Sequence, residues 1–232
     1  TRVRTFAQDD AHIYCTPEQI GQEIDALFDL MFRVYDLFAF RDVHIYLSTK
    51  PEKAIGDDAL WQVAERQLEQ CLRSRGVAFT VNPGDGAFYG PKIDFIVHDA
   101  IGREWQLGTI QLDFNLPERF ALTYVAEDGS ERRPVMIHRA VLGSIERFFG
   151  VMLEHFAGDL PLWLAPEQAR VLPVSDRFVA PARDLASRLT AAGLRVTVDE
   201  RSDKLGAKIR DGEVSKVPIL LIVGQREAEA GG

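Results

Sequence analysis

One stretch constrains the fold more than any other: Arg2-Val3-Arg4-Thr5-Phe6-Ala7-Gln8-Asp9-Asp10-Ala11-His12. Read as a strand, successive side chains alternate, so Arg2, Arg4, Phe6, Gln8, Asp10 and His12 share one face. A strand of a soluble protein ordinarily pairs an apolar face with a solvated one. This face holds two cations, an aromatic ring, an amide, a carboxylate and an imidazole. From Phe6 to His12 it spans roughly 20 Å, enough to lie along a pair of bound ligands. Arginine's planar fork suits phosphate oxygens. Phe6 can stack on a flat heterocycle, Asp10 can hold an ammonium group, and His12 can bind a metal. The alternative is a solvated edge of mixed charge, and only the rest of the chain decides.

A chain of 232 residues buries a real core and fits one large or two smaller domains. The net charge of −8 argues against a non-specific nucleic-acid binder. The negative balance falls in residues 1–168, and the remainder is slightly basic. Cys15 and Cys71 make no disulfide framework, so a reducing, cytoplasmic setting is expected. No apolar run is long enough for a membrane span. The chain opens inside the first stretch with no initiating residue and closes on Gly231-Gly232. Both ends are therefore expected to be cut, with part of any site outside the sequence.

Residues 17–40 place apolar side chains three and four apart, from Ile20 to Phe38, with Pro17 in the first turn and Thr16 as N-cap. That predicts a helix. A strand over 43–49, a helix over 57–75 ended by Gly76, and a short strand over 77–81 follow. A strand led in by Tyr89-Gly90-Pro91-Lys92 turns through Ile101-Gly102 into a second, over 103–114. Gln106 and Gln111 are five apart and would face opposite ways in an unbroken strand, so Gly108 is read as a bulge. Strands at 121–126 and 134–137, with Asp128-Gly129 as a hairpin turn, complete a strand-heavy middle. A helix is expected through Val141, Ile145, Phe148 and Met152, with Ala140, Gly143, Ser144 and Arg147 on another face. Leu160-Pro161 to Pro166 is the expected boundary, giving units 1–160 and 169–232 joined by a linker at 161–168. The second unit alternates strands with helices, which predicts a small, mostly parallel α/β domain.

Taken together, four blocks resemble the class II aminoacyl-tRNA synthetases, and within them the threonyl-specific members, over essentially the whole chain. The opening stretch resembles the second half of the family's motif 2. Pro134-Val135-Met136-Ile137-His138-Arg139-Ala140-Val141-Leu142-Gly143-Ser144-Ile145-Glu146-Arg147-Phe148 resembles motif 3. Tyr89-Gly90-Pro91-Lys92-Ile93-Asp94-Phe95 and Trp105-Gln106-Leu107-Gly108-Thr109-Ile110-Gln111-Leu112-Asp113-Phe114 lie between them in the family's order. The resemblance implies an α+β fold: an antiparallel-sheet catalytic core with flanking helices, then a small α/β anticodon-binding domain. It implies ATP-dependent ligation of L-threonine to tRNA through a threonyl-adenylate, by a protein that is a homodimer at full length.

The same resemblance assigns roles. Arg2, Phe6, Gln106, Thr109 and Arg147 would hold ATP with Mg2+, and Arg2, Lys92 and Arg147 would serve the reaction. Gln8, Asp10, Tyr89, Gln111 and Ser144 would hold threonine, with Asp10 on its ammonium group. His12 and His138 would bind one Zn2+ per subunit, whose open positions would take threonine's amine and hydroxyl and so reject valine. Arg201, Ser202 and Glu227 would meet the anticodon. The family's third zinc ligand, a cysteine, is absent, and Cys15 has the wrong parity to replace it. Motif 1, a second motif 2 arginine and an editing domain are also absent, so this segment alone is not expected to be self-sufficient. Thr5 stands where relatives often carry glycine, and Ser202 where some carry asparagine. Two rival readings are a prolyl- or seryl-type enzyme, opposed by the His12/His138 pair, and a non-catalytic regulator or tRNA-binding module. The retained Arg2, Gln8, Asp10, Lys92, His138 and Arg147 oppose the latter.

Overall fold

A computed structural model describes residues 3–99 and 101–230, in two compact units, Thr1–Met152 and Leu153–Gly232. The division falls ahead of the proline-rich segment expected to form the boundary. The physical reason lies in what holds that segment's carbonyls. Gln168 donates to Leu162 O at 2.8 Å, and Arg195 donates to Trp163 O and Ala165 O. The prolines thus belong with the second unit.

The first unit holds the strands β1 (Ala11–Cys15), β2 (Val43–Ser48), β3 (Thr80–Asn82), β4 (Lys92–His98), β5 (Glu104–Asp113), β6 (Tyr124–Val125), β7 (Glu131–Arg132) and β8 (Val135–Ala140). Six of them make one sheet in the order β1-β8-β5-β4-β2-β3. The other two, β6 and β7, form a separate hairpin that turns at Asp128-Gly129 as expected. Neighbours in the large sheet are antiparallel, except β2 and β3. Strand β3 falls toward the C-terminal side of the expected 77–81 because its register with β2 begins at Tyr46↔Thr80.

One face of this sheet is the core. Ile45, Leu47, Ile93, Phe95, Ile110, Leu112 and Ile137 are all buried. Helix α1 (Ile20–Leu37) supplies Ile24, Phe28, Met31 and Tyr35, and Phe28, Phe32 and Tyr35 ring Phe95 at 5.3–6.3 Å. Helix α2 (Asp58–Ser74) adds Trp61, Ala64 and Leu68. The start of the first helical segment matches its sequence signal, since Gln19 Oε1 accepts the Thr16 amide at 2.9 Å in a capping box. A short helix, α3 (Asn115–Arg119), follows β5.

Two expectations are corrected here. The opening stretch joins the ladder only from Ala11; residues 3–10 form no regular element, with a bend at Arg4 and a single bridge from Gln8 to Ser144. Their period-two exposure nonetheless begins at Gln8, with Gln8, Asp10, His12 and Tyr14 exposed and Cys15 buried. The second correction is the helix read through Val141. Strand β8 runs to Ala140, a loop holds 141–144, and helix α4 is Ile145–His155. Gly143 takes φ +69°, and a Cβ there would stand 2.6 Å from Leu107 O, so it serves the loop's turn and close approach, not a helix face.

The second unit holds the strands β9 (Ala169–Pro173), β10 (Val196–Val198) and β11 (Ile219–Val223), paired in parallel in the order β10-β9-β11. Helices α5 (Val179–Ala191), α6 (Leu205–Val214) and α7 (Gln225–Glu229) complete it, and Val171, Phe178, Ala182, Ala186 and Val223 form its core. Among the described residues, no helix is long and apolar enough to cross a membrane.

Candidate functional site

The large sheet's other face is polar, and the register explains how. His12 pairs with His138, His138 with Gln111, Gln111 with Lys92, and Lys92 with Ser48. Directly opposed residues in antiparallel strands point the same way, so one row of five polar side chains crosses β1, β8, β5, β4 and β2. At one strand spacing per step the row is about 19 Å long. Nothing local in the sequence links these positions; the ladder does.

The next row is organised by Asp94, only 2% exposed. Its carboxylate accepts from Ser48 Oγ at 2.7 Å, Gln106 Nε2 at 2.5 Å, Thr109 Oγ1 at 3.3 Å and the Lys92 ammonium. Gln106 reaches Asp94 because β5 is bulged where expected. Phe95 pairs with Gly108 and Ile96 with Gln106, so Leu107 is the extra residue. Gly108 is required there, since a Cβ would run into the Tyr35 hydroxyl. Lys92 also lies 3.3 Å from Asp85 and is 12% exposed.

At the β1 end, the His12 and His138 rings stand edge to face with centroids 4.7 Å apart. His138 Nε2 is 2.9 Å from Asp113 Oδ2, and His12 Nε2 is 3.8 Å from Asp10 Oδ2. Tyr89 donates to Gln111 Oε1 at 2.7 Å and packs on the His138 ring at 5.0 Å. Burial, then the Asp113 and Asp10 carboxylates, pushes the Tyr89 phenol up, so it remains a donor. Two imidazoles from adjacent strands, one braced by a fully buried carboxylate, fit a shared zinc ion as two of its ligands. Cys15 points to the buried side, where burial raises its thiol to about 11, and adds nothing to that set.

Asp9, which lies off the face that carries Gln8, Asp10 and His12, fixes the edge of the site. Its Oδ2 accepts the Val141 amide at 2.8 Å, and its Oδ1 accepts those of Leu142 and Gly143 at 3.0 Å. Arg139 adds a contact to Asp9 Oδ2 at 3.3 Å. Glu146 accepts the Ala7 amide at 2.9 Å and the Ser144 hydroxyl, and the amide bond holds its carboxyl below the usual range. These bonds, with the Gln8–Ser144 bridge, hold residues 7–9 against the loop at 141–144 and the start of α4. Phe6 and Arg147 are exposed beside that junction, and among the described residues no hydrogen bond or ion pair engages the Arg147 guanidinium. Arg2 lies outside the described residues. Asp9, Asp94 and Asp113 are the residues that sequence reasoning missed; only Asp94, two residues from Lys92, carried a usable parity signal.

In the second unit, Arg201 is held by Asp199 and Asp211 at 2.6–2.9 Å, which raises its guanidinium further and holds Asp199 low. Arg201 and Asp211 line a shallow surface depression of about 700 Å³. Ser202 is exposed next to it. Glu227 is exposed, and its Oε2 accepts the Gly224 amide at 3.0 Å to cap α7.

Comparison with known proteins likewise finds two domains, with the segment between residues 156 and 168 in neither. The model of the anticodon binding domain matches residues 168–232. Threonine–tRNA ligase of Synechococcus sp. (strain CC9311) is 55% identical over 230 residues, 99% of this chain and 37% of that protein. That of a Thermus thermophilus strain is 55% identical over 234 residues, the whole of this chain and 36% of the relative. The chain therefore spans little more than a third of these relatives. A crystal structure described as the RNA binding domain of threonyl-tRNA synthetase from Cryptosporidium parvum superposes with a TM-score of 0.95 at 45% identity, covering 99% of this chain and 58% of that one. The model of the tRNA synthetase class II core domain (G, H, P, S and T) matches residues 1–156, most of the chain, and the chain belongs to that class II synthetase family.

Proposed function

We propose that the polar sheet face is the threonine-activating site of a threonine–tRNA ligase, and that the second unit reads the tRNA anticodon. The observation that carries the reading is the row His12–His138–Gln111–Lys92 across four adjacent strands. In this reading Asp10, Gln8 and Gln111 hold the amino acid, with Tyr89 orienting Gln111. The carboxylate of threonine attacks the α-phosphate of ATP beside Lys92 and pyrophosphate leaves; a hydroxyl of the tRNA 3′ terminal ribose then attacks the carbonyl of the threonyl-adenylate, and AMP leaves. Arg2 and Arg147 bind the phosphates with Mg2+, and Phe6 stacks on adenine. His12 and His138 would hold zinc, which when bound would supply a Lewis acid for the amine and hydroxyl of threonine. A site that must satisfy a hydroxyl rejects valine far better than an apolar pocket does. Catalysis comes from positioning and charge stabilisation, with no covalent enzyme intermediate.

The test is amino-acid-dependent ATP–pyrophosphate exchange by the full-length protein with threonine, serine, valine and proline. Strong exchange with threonine, weaker with serine and none with valine is expected, with loss on zinc chelation. Folded protein that binds tRNA but exchanges with no amino acid would overturn the activity. Threonine exchange indifferent to chelation would remove zinc from His12 and His138 and leave the activity standing.

A further inference from the structure

We propose that Asp42, His44 and His98 form a second binding site, for a divalent transition-metal ion of the zinc class, at the far end of the same sheet face. Among the described residues this is the only group of three His, Cys, Asp or Glu side chains whose ligand atoms all lie within 4.8 Å of one another. The ladder builds it. His98 follows Lys92, Asp94 and Ile96 along one face of β4, about 20 Å from Lys92. His44 sits opposite Ile96 on β2, one diagonal step from His98, and the two rings meet edge to face at 4.7 Å.

Each nitrogen has a definite orientation. His44 Nε2 is 3.0 Å from Asp42 Oδ1, and His98 Nδ1 is 3.7 Å from Asp42 Oδ2. His98 Nδ1 is buried and has no hydrogen-bond partner, an arrangement that costs free energy unless something binds there. The other ring nitrogen, Nε2, is 3.6 Å from Glu104, its cross-strand partner. The Glu104 carboxylate lies near the outer nitrogen, just beyond hydrogen-bond length, on the side from which a carboxylate commonly supports a metal-bound imidazole, and the inner lone pair is left for an ion. Two imidazoles and one carboxylate favour zinc, cobalt, nickel or copper over magnesium or calcium, which prefer oxygen donors. Asp42 and His44 are exposed, so solvent completes the coordination and the ion can enter freely. The site shares no ligand with the His12/His138 pair.

The probe is zinc chloride alone, titrated into the His12→Ala/His138→Ala protein while histidine ring nitrogens are followed by NMR. His44 and His98 are expected to shift together and saturate at one ion, with His155 unmoved as the internal reference. Glu104→Gln is expected to weaken binding about 10-fold or more while leaving both ligands in place. His98→Ala is expected to abolish the His44 response. His44 and His98 unmoved at about 1 mM zinc would overturn the proposal. So would an undiminished His44 shift in His98→Ala, which marks a lone surface imidazole.

Discussion

The ammonium of Lys92 rests on the carboxylate of Asp94, two residues along the same strand and on the same sheet face. Because Asp94 also takes donors from Ser48, Gln106 and Thr109, it holds four of the site's side chains in one arrangement. Asp94→Asn keeps the shape but removes the charge and forces a donor into a ring of donors. The loss is expected to be about 1.5–3 kcal/mol of stability, the range for hydrogen bonds to charged groups. Pyrophosphate exchange should fall mainly through kcat, since Lys92 is freed from its place. Asp85→Asn removes the other, exposed partner of Lys92 and should cost well under about 1 kcal/mol. Equal effects of the two variants in urea unfolding and exchange would contradict the central place given to Asp94.

Two glycines close together in the chain should answer alanine in opposite ways. Gly143 has φ +69° and a Cβ site 2.6 Å from a carbonyl, so Gly143→Ala is expected to cost more than about 1 kcal/mol and to disturb the amide contacts of Asp9. Gly150 lies inside α4 with nothing within 4 Å of its Cβ site, so Gly150→Ala is expected to gain about 0.5–1 kcal/mol. Thermal melts of the two variants check both signs.

That contrast also marks where the sequence was legible. Periodicity found α1, α2, α5 and most strands of the two larger sheets, because their apolar faces are local facts. The bulge at Leu107 and Gly108 was legible too, since the parity of Gln106 and Gln111 demanded one. The loop at 141–144 was not: Val141, Ile145 and Phe148 keep helical spacing, and only a φ above zero at Gly143 breaks it. Asp9 was hidden for a related reason. Its partners are backbone amides more than 130 positions away, and amides carry no residue-specific signal. His44 and His98 meet only through the register of β2 on β4, which no single strand announces.

Acid should act on the second unit through Asp199. This carboxylate is nearly buried, and Arg201 holds it below the usual carboxylate range by side-chain hydrogen bonds at 2.6 and 2.9 Å. A carboxyl lowered on folding gives its full stabilisation above its unfolded value, about 3.9, and loses it as pH falls through the folded value. The unfolded chain takes up the proton first, so stability drops as the medium is acidified below about pH 4. Arg201 is half exposed, and solvent screening keeps the contribution near about 1 kcal/mol. Asp199→Asn should therefore be less stable than the parent at pH 7 and lose less on going to pH 3. Lys208, buried against the carbonyls of Asp199 and Pro173, keeps both partners in that variant, which isolates the carboxylate. Urea unfolding of both proteins at the two pH values decides it: parallel losses would mean that the acid sensitivity lies elsewhere.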